Sequence, residues 1–400
     1  MLEREDPFSL AARQIAIDAE RVGEPRALER KLARLSSSAH GFLRGSAPLY
    51  YELLALRPDL AEGPPGEGWI AGDMHVENVG AYRADDDTVV FDLNDFDDAS
   101  VGPWRLDVLR LLTSVQLASL SLDVDGPGAI DLARAALTAH IGAAFDDARV
   151  VPESCEPIAK LVERCLTRRA DDFLRDSTEA VGGTDRLRIK RNKRTLDCPP
   201  EIAREVPEAI AGYVGALGDK APQHAARWLV ADTAVRLAGN GSLGRLRLWV
   251  LIDDGAGHRF IELKEAATPA PSALLGDAGQ DPAERVVTGA RALLHRPIFR
   301  LAAVPPKSGR PSFYGRRLRP DEDKLALDRE ELGAAFPELV TIIGGLLGRA
   351  HRRGATAPLP ERWSPADRDG LIRRAIELSS LHVGAWLAHA RLTRGSAPAP

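Results

Sequence analysis

The sequence predicts an α+β fold of two unequal lobes, on three observations. The stretch Gly72–Asp107 concentrates an Asp, a His and an Asn over residues 73–78, followed past a short apolar strand by a second group of Asp. Around it the chain reads as helices: apolar residues recur at helical spacing over 104–118, and 128–148, 156–175, 330–353 and 365–392 read the same way. Between 233 and 266 the texture changes to β-branched runs joined by glycine turns, the pattern of a small sheet. The expected organisation is a helical lobe with the acidic site over 1–231, a small β-rich lobe over 232–320, and helices over 321–400 returning to the first lobe.

A chain of 400 residues holds one large or two ordinary domains, and an apolar fraction of 44% is that of a globular protein. The net charge of −5 gives no general attraction to nucleic acid or anionic lipid. No run approaches the length of a membrane span, and MLEREDPFSLAARQ lacks the apolar core of a signal peptide. Cys155, Cys165 and Cys198 form no C-x-x-C pair and read as free thiols. The expected setting is a reducing cytoplasm, without nucleic-acid or membrane partners.

Taken in order, 9–35 reads as helix, SSSAHGFLRGSAP (36–48) as a turn-rich segment, and YYELLAL as a helix ended by Pro58. WIAGD is a short strand, Asp85-Asp86-Asp87 a hairpin turn, and TVVFDL (88–93) a buried strand. Gly102-Pro103 opens a long helix with an apolar stripe of Trp104, Val108, Leu111, Leu112, Val115 and Ala118. The basic run 182–200 is irregular and suits a solvated loop or a phosphate-facing surface. Residues 233–253 read as strand, glycine turn and strand; DDGAGH is a hairpin turn and RFIELKEA a third strand. A helix is expected over 281–295 and an edge strand over 313–320.

Asp73 and Asn78 have the spacing of the Asp and Asn in a protein-kinase catalytic loop, where the Asp takes the hydroxyl proton and the Asn holds Mg²⁺. VVF then delivers Asp92 where a kinase has its metal-binding Asp. Asp73 is therefore the candidate base, and Asn78 and Asp92, with Asp95, the candidate Mg²⁺ ligands, since this ion takes oxygen ligands and shares them with phosphates. His75 could orient Asp73, line the pocket or bind metal. Asp97 and Asp98 suit either a further ligand or an acidic turn. Asp107, in the first turn of the long helix, is at least a favourable charge at a helix N-terminus.

Gly239-Asn240-Gly241-Ser242-Leu243-Gly244 is a G-x-G-x-x-G run followed by a strand, whereas a dinucleotide fold needs a helix there. Strand, glycine loop and strand is the kinase arrangement, in which Gly239, Gly241, Ser242 and Gly244 would cover the phosphates. One hairpin later comes Lys264, the candidate phosphate-pairing lysine; strand alternation sets Glu262 and Lys264 opposite Ile261 and Leu263. Glu284, in the next helix, is the candidate partner of Lys264. Kinases place the glycine loop before the catalytic Asp, and here the order is reversed. The expected fold is therefore protein-kinase-like, two-lobed and circularly permuted, since termini of compact folds can be relocated.

The stretch GDMHVENVGAYRADDDTVVFDLNDFDDASVGPWRLDVLRLLTS resembles an uncharacterised bacterial family known as a domain of unknown function. The match continues through HGFLRGSAP, GNGSLGRLRLWVLID, IELKEA, ERVVTGARALL, GRRLRPDEDKL and LGRAHRRG, and so covers most of the chain. That family is distantly similar to aminoglycoside phosphotransferases, whose motif is H-G-D-x-H-x-x-N followed by I-D. The resemblance implies Asp73 as base, Asn78 and Asp92 as Mg²⁺ ligands and Asp107 as the Asp that braces the loop. Ala71 departs from it, standing where those enzymes have His. No substrate is implied.

The expected activity is ATP- and Mg²⁺-dependent phosphoryl transfer to a hydroxyl of a small molecule, a reaction that is mostly positioning and charge neutralisation. Three alternatives are a metal-dependent phosphohydrolase using Asp73, His75, Asp92 and Asp95, a nucleotide-binding pseudokinase, and transfer of AMP from the same cradle.

Overall fold

The computed structural model describes residues 5–184, 186–237, 244–307, 310–320 and 322–394. They form a mixed α+β structure in which a helical body carries the acidic site and several antiparallel sheets flank it. The expected first helix is divided at Gly23 into Pro7–Arg21 and Pro25–Ser36, each with Pro in its first turn and an acidic cap, Asp6 and Glu24. Residues 36–48 are helical rather than a turn. The Ser38 side chain accepts the Gly41 N–H and starts the helix Ala39–Gly45, which is followed at once by Ala47–Leu56. Serines that read as loop residues act here as a helix cap.

At the centre lies Trp104–Ser121, buried at every position from Leu106 to Ser119. Its apolar stripe is as expected, but its polar residues do not face water. Asp107, Arg110 and Ser114, at helical spacing, bond the loop Gly72–Asn78 or its flanks. Gly126–Phe145, Phe336–Arg353 and Pro365–Arg394 enclose this helix. The expected 156–175 helix breaks into Glu156–Thr167 and Ala170–Ser177. Among the described residues no helix is long and apolar enough to cross a membrane.

The main sheet has six antiparallel strands in the order Ala302–Ala303, Ser312–Arg317, His258–Ala266, Arg247–Asp253, Leu229–Arg236 and Thr195–Asp197. The basic run thus contributes an edge strand, and the sheet recruits residues upstream of 232. Ser312–Arg317 lies one place in from the other edge. Ile261, Leu263, Leu248 and Val250 pack one face against Ile210, Tyr213 and Leu217 of the helix Val206–Leu217. That leaves Glu262 and Lys264 on the opposite face, as alternation requires. A smaller sheet orders Asp323–Lys324, Val79–Arg83 and Val89–Leu93, and a ribbon pairs Glu67–Ile70 with Ser100–Pro103.

The helices Gly126–Phe145 and Phe336–Arg353 touch through glycine. A Cβ on Gly344 would lie 2.1 Å from the Ala136 carbonyl oxygen, and one on Gly348 would lie 2.2 Å from that of His140. Gly→Ala in an open helix stabilises by about 1 kcal/mol. Here the sign reverses, because overpacking costs about 1–3 kcal/mol and must push two backbones apart. Gly348→Ala should therefore lower the urea midpoint at unchanged m-value. A raised midpoint would show that the backbones do not meet there.

Candidate active site

Gly72 has φ of 78°, and a Cβ on it would sit 2.0 Å from the Asp98 carbonyl oxygen, so only glycine fits. The Ala71 and Gly72 amides donate to Asp107 at 2.6 and 2.8 Å. His351 Nε2 lies 3.2 Å from the same carboxylate, and His140 Nε2 lies 3.0 Å from His351 Nδ1. Trp104 stacks on His351 and Trp363 on His140, with ring centroids 5.3 and 5.2 Å apart. Burial, with His351 adjacent, holds His140 well below the usual imidazole range, so it is neutral. Tyr51 donates to the Gly72 carbonyl at 2.7 Å. An imidazole thus reaches the loop's brace from residue 351, although the residue before Gly-Asp is Ala71.

Asp73 Oδ1 accepts from Arg110 Nε and Nη2 at 2.6 and 2.5 Å. Arg110 is wholly buried, lies over the Tyr50 ring and donates to the Leu43 carbonyl. Burial pushes the Asp73 carboxyl up to about 7 against the pull of Arg110, with Asp98 and Asp95 adding to the rise. His75 Nδ1 accepts the Glu77 amide at 3.2 Å, and burial keeps the ring neutral. Asn78 Nδ2 donates to the backbone carbonyls of Asp73 and Asp95 at 3.0 and 3.4 Å, joining the two acidic segments. Its Oδ1 is buried without a hydrogen-bond partner among the described residues.

Asp73, His75, Asp95, Asp97, Asp98 and Lys264 line one cavity of about 710 Å³. Asp92 does not. It lines a separate cavity of about 130 Å³ with Arg349 and Arg353, the latter 4.0 Å from its carboxylate. Burial raises Asp92 to about 6 against the pull of Arg353. The reason is local: Asp92 belongs to the strand and pairs with Gly80, whereas Asp95 lies in the loop beyond Leu93, and that loop faces the larger cavity.

The Lys264 ammonium pairs with Asp97 and lies 3.9 Å from Asp95 Oδ1. Asp97 also accepts from Tyr314 at 2.7 Å and lies 3.8 Å from Arg245. Burial alone would raise the Asp97 carboxyl; Lys264 and Arg245 reverse the sign and hold it well below its usual range. Glu284, the expected partner of Lys264, is instead exposed in the first turn of Pro282–Leu293. Its neighbour Arg285 points inward and donates to the carbonyls of Asp97, Ala99 and Ala267, tying the acidic segment to the end of the Lys264 strand. One residue of helix rotation separates the two outcomes. Gly244 has φ of 102°, and a Cβ there would lie 2.2 Å from the Arg21 carbonyl oxygen. Gly239, Gly241 and Ser242 lie outside the described residues.

Among the described residues no three His, Cys, Asp or Glu side chains come together to hold a metal ion. Mg²⁺ shared with phosphates needs fewer protein ligands. The orphaned Asn78 Oδ1 fits it, as does Asp95, which is 43% exposed and, among the described residues, has no ion pair closer than 3.9 Å. Sequence reasoning missed Arg110, Arg285, Tyr314 and His351. Only Arg110 left a signal, as a polar residue in register with Asp107 and Ser114 on an otherwise apolar helix.

A family model described as an uncharacterized protein conserved in bacteria, DUF2252, matches residues 21–381. No curated protein and no solved structure is significantly similar to the chain.

Asp107→Asn keeps the shape of the brace but offers one acceptor oxygen where two amides and an imidazole converge. It leaves at least one buried donor unmet, at about 1–3 kcal/mol. The expected result is a lower midpoint in chemical denaturation, with His351→Asn losing less. Wild-type stability in Asp107→Asn would rule out this brace.

Proposed function

The chain belongs to the DUF2252 family of bacterial proteins, and from the geometry of its larger cavity we propose that it is an ATP- and Mg²⁺-dependent phosphotransferase acting on a hydroxyl of a small molecule. On this reading its fold is kinase-like, with the two lobes exchanged in chain order. One observation carries the proposal. Lys264, from the sheet lobe, meets Asp97 and Asp95 on the cavity that also holds Asp73, although nothing in the intervening sequence requires these segments to meet.

Arg110 fixes Asp73 through one carboxylate oxygen and leaves the other to receive the hydroxyl proton. Asn78 and Asp95 would hold Mg²⁺, whose charge offsets that of the phosphate oxygens. Asp97 and Tyr314 orient Lys264 towards the nucleotide phosphates, the part that sequence assigned to Glu284. Asp92 has no part in this scheme and serves as the counter-charge of Arg353. His75 lines the cavity as a neutral ring.

ATP with Mg²⁺ should raise the melting temperature, by about 2.7 kcal/mol of added stability at a hundredfold excess over Kd. Lys264→Ala should weaken the effect and Asp95→Ala should remove its Mg²⁺ dependence, while Asp92→Ala retains both. A folded wild-type protein that does not respond to millimolar ATP, or an Asp92→Ala variant that alone loses Mg²⁺ dependence, would overturn this assignment.

A further inference from the structure

We propose that Lys324 is a second phosphate-directed cation of the site, acting on the phosphoryl group in transit; this rests on the phosphotransferase reading above. Lys324 sits on the strand Asp323–Lys324, which adds to the hairpin that follows the Asp73–Asn78 loop, opposite Gly80. The residues around it are tied down. Asp323 is bound by Arg168 at 2.6 Å, Glu322 by Arg316 at 2.7 Å, and Leu325 is buried. The Lys324 ammonium is not. Among the described residues it makes no hydrogen bond, lines the large cavity, and has Asp95 Oδ2 as its ion-pair partner at 3.9 Å.

Lys264 stands 3.9 Å from Oδ1 of the same carboxylate. Two ammonium groups, one from the sheet lobe and one from the strand beside the loop, therefore bracket Asp95. Lys264 is committed to Asp97, and the contact of Lys324 with Asp95, at 3.9 Å, is too long for a charge-assisted hydrogen bond and contributes little to stability. The loop from Gly72 to Asn78 contains no Lys or Arg. Arg110 is spent on Asp73, Arg44 on Glu77, and Arg245 faces Asp97. In-line transfer spreads negative charge over three equatorial oxygens, which must be met by cations fixed beforehand. Lys324 is positioned by its backbone and left unspent by its side chain.

A cation that acts mainly on the transferring group should matter little for bound diphosphate and much for a mimic of the transition state. The test is calorimetric titration with ADP–Mg²⁺ and with ADP–Mg²⁺–aluminium fluoride, whose metal fluoride stands in for the phosphoryl group. Lys324→Ala should bind ADP–Mg²⁺ within about twofold of wild type and the fluoride complex about 10–100-fold more weakly, with Lys324→Arg intermediate. Equal losses for both ligands, or none for either, would overturn the proposal. A wild-type protein that binds ADP–Mg²⁺ but gains nothing from aluminium fluoride overturns it alone. One that binds neither removes the phosphotransferase reading as well.

Discussion

Asp107 is completely buried, and a buried carboxylate is tolerated only when its lone pairs are filled by well-placed donors. Two backbone amides and an imidazole fill them, and in doing so fix Ala71 and Gly72 on the central helix. The positions of Asp73, His75 and Asn78 follow from that attachment. Arg110, one turn along, captures Asp73, and Ser114, one turn further, accepts the Val76 amide. A single helix face thus works as a template onto which the loop is laid.

The segment from Asp95 to Ala99 couples the main sheet to the helical body. Lys264 and Tyr314 come to it from the sheet, Arg245 from the bend before the strand Arg247–Asp253, and Arg285 from the helix Pro282–Leu293. The contacts mix side-chain charge with backbone carbonyls, so the acidic residues are held in shape as well as neutralised. Repulsion among the carboxylates is offset by protein cations here, with Asp97 paired closely and Asp95 only at 3.9 Å.

Much of this was legible in the residues themselves. Period-two alternation placed Lys264 and Glu262 away from the sheet core, and helical spacing located the central helix. The spacing of Asp73 and Asn78 singled out a loop that the structure shows to be braced and held. What sequence could not supply was rotation and depth. Asp92 and Asp95 differ by less than one turn of chain, yet open onto different cavities because the strand ends between them. Glu284 and Arg285 are adjacent, and only the helix's packing decides which points inward. His351 was invisible as a site residue because its partner is 244 residues away. Ser38 was read as a turn residue because a cap and a turn use the same chemistry.

The contact between Asp107 and His351 also constrains how the chain acquires its structure during synthesis. At typical elongation rates of about 5–20 residues per second, roughly 10–50 s pass between the emergence of the two. Throughout that interval the central helix carries a carboxylate that lacks its imidazole partner and apolar faces that the later helices have yet to cover. The helix Phe336–Arg353 closes on Gly126–Phe145 late, and Pro365–Arg394 later still. Nascent chains of this protein therefore pass through a long vulnerable stage in which chaperone engagement competes with aggregation.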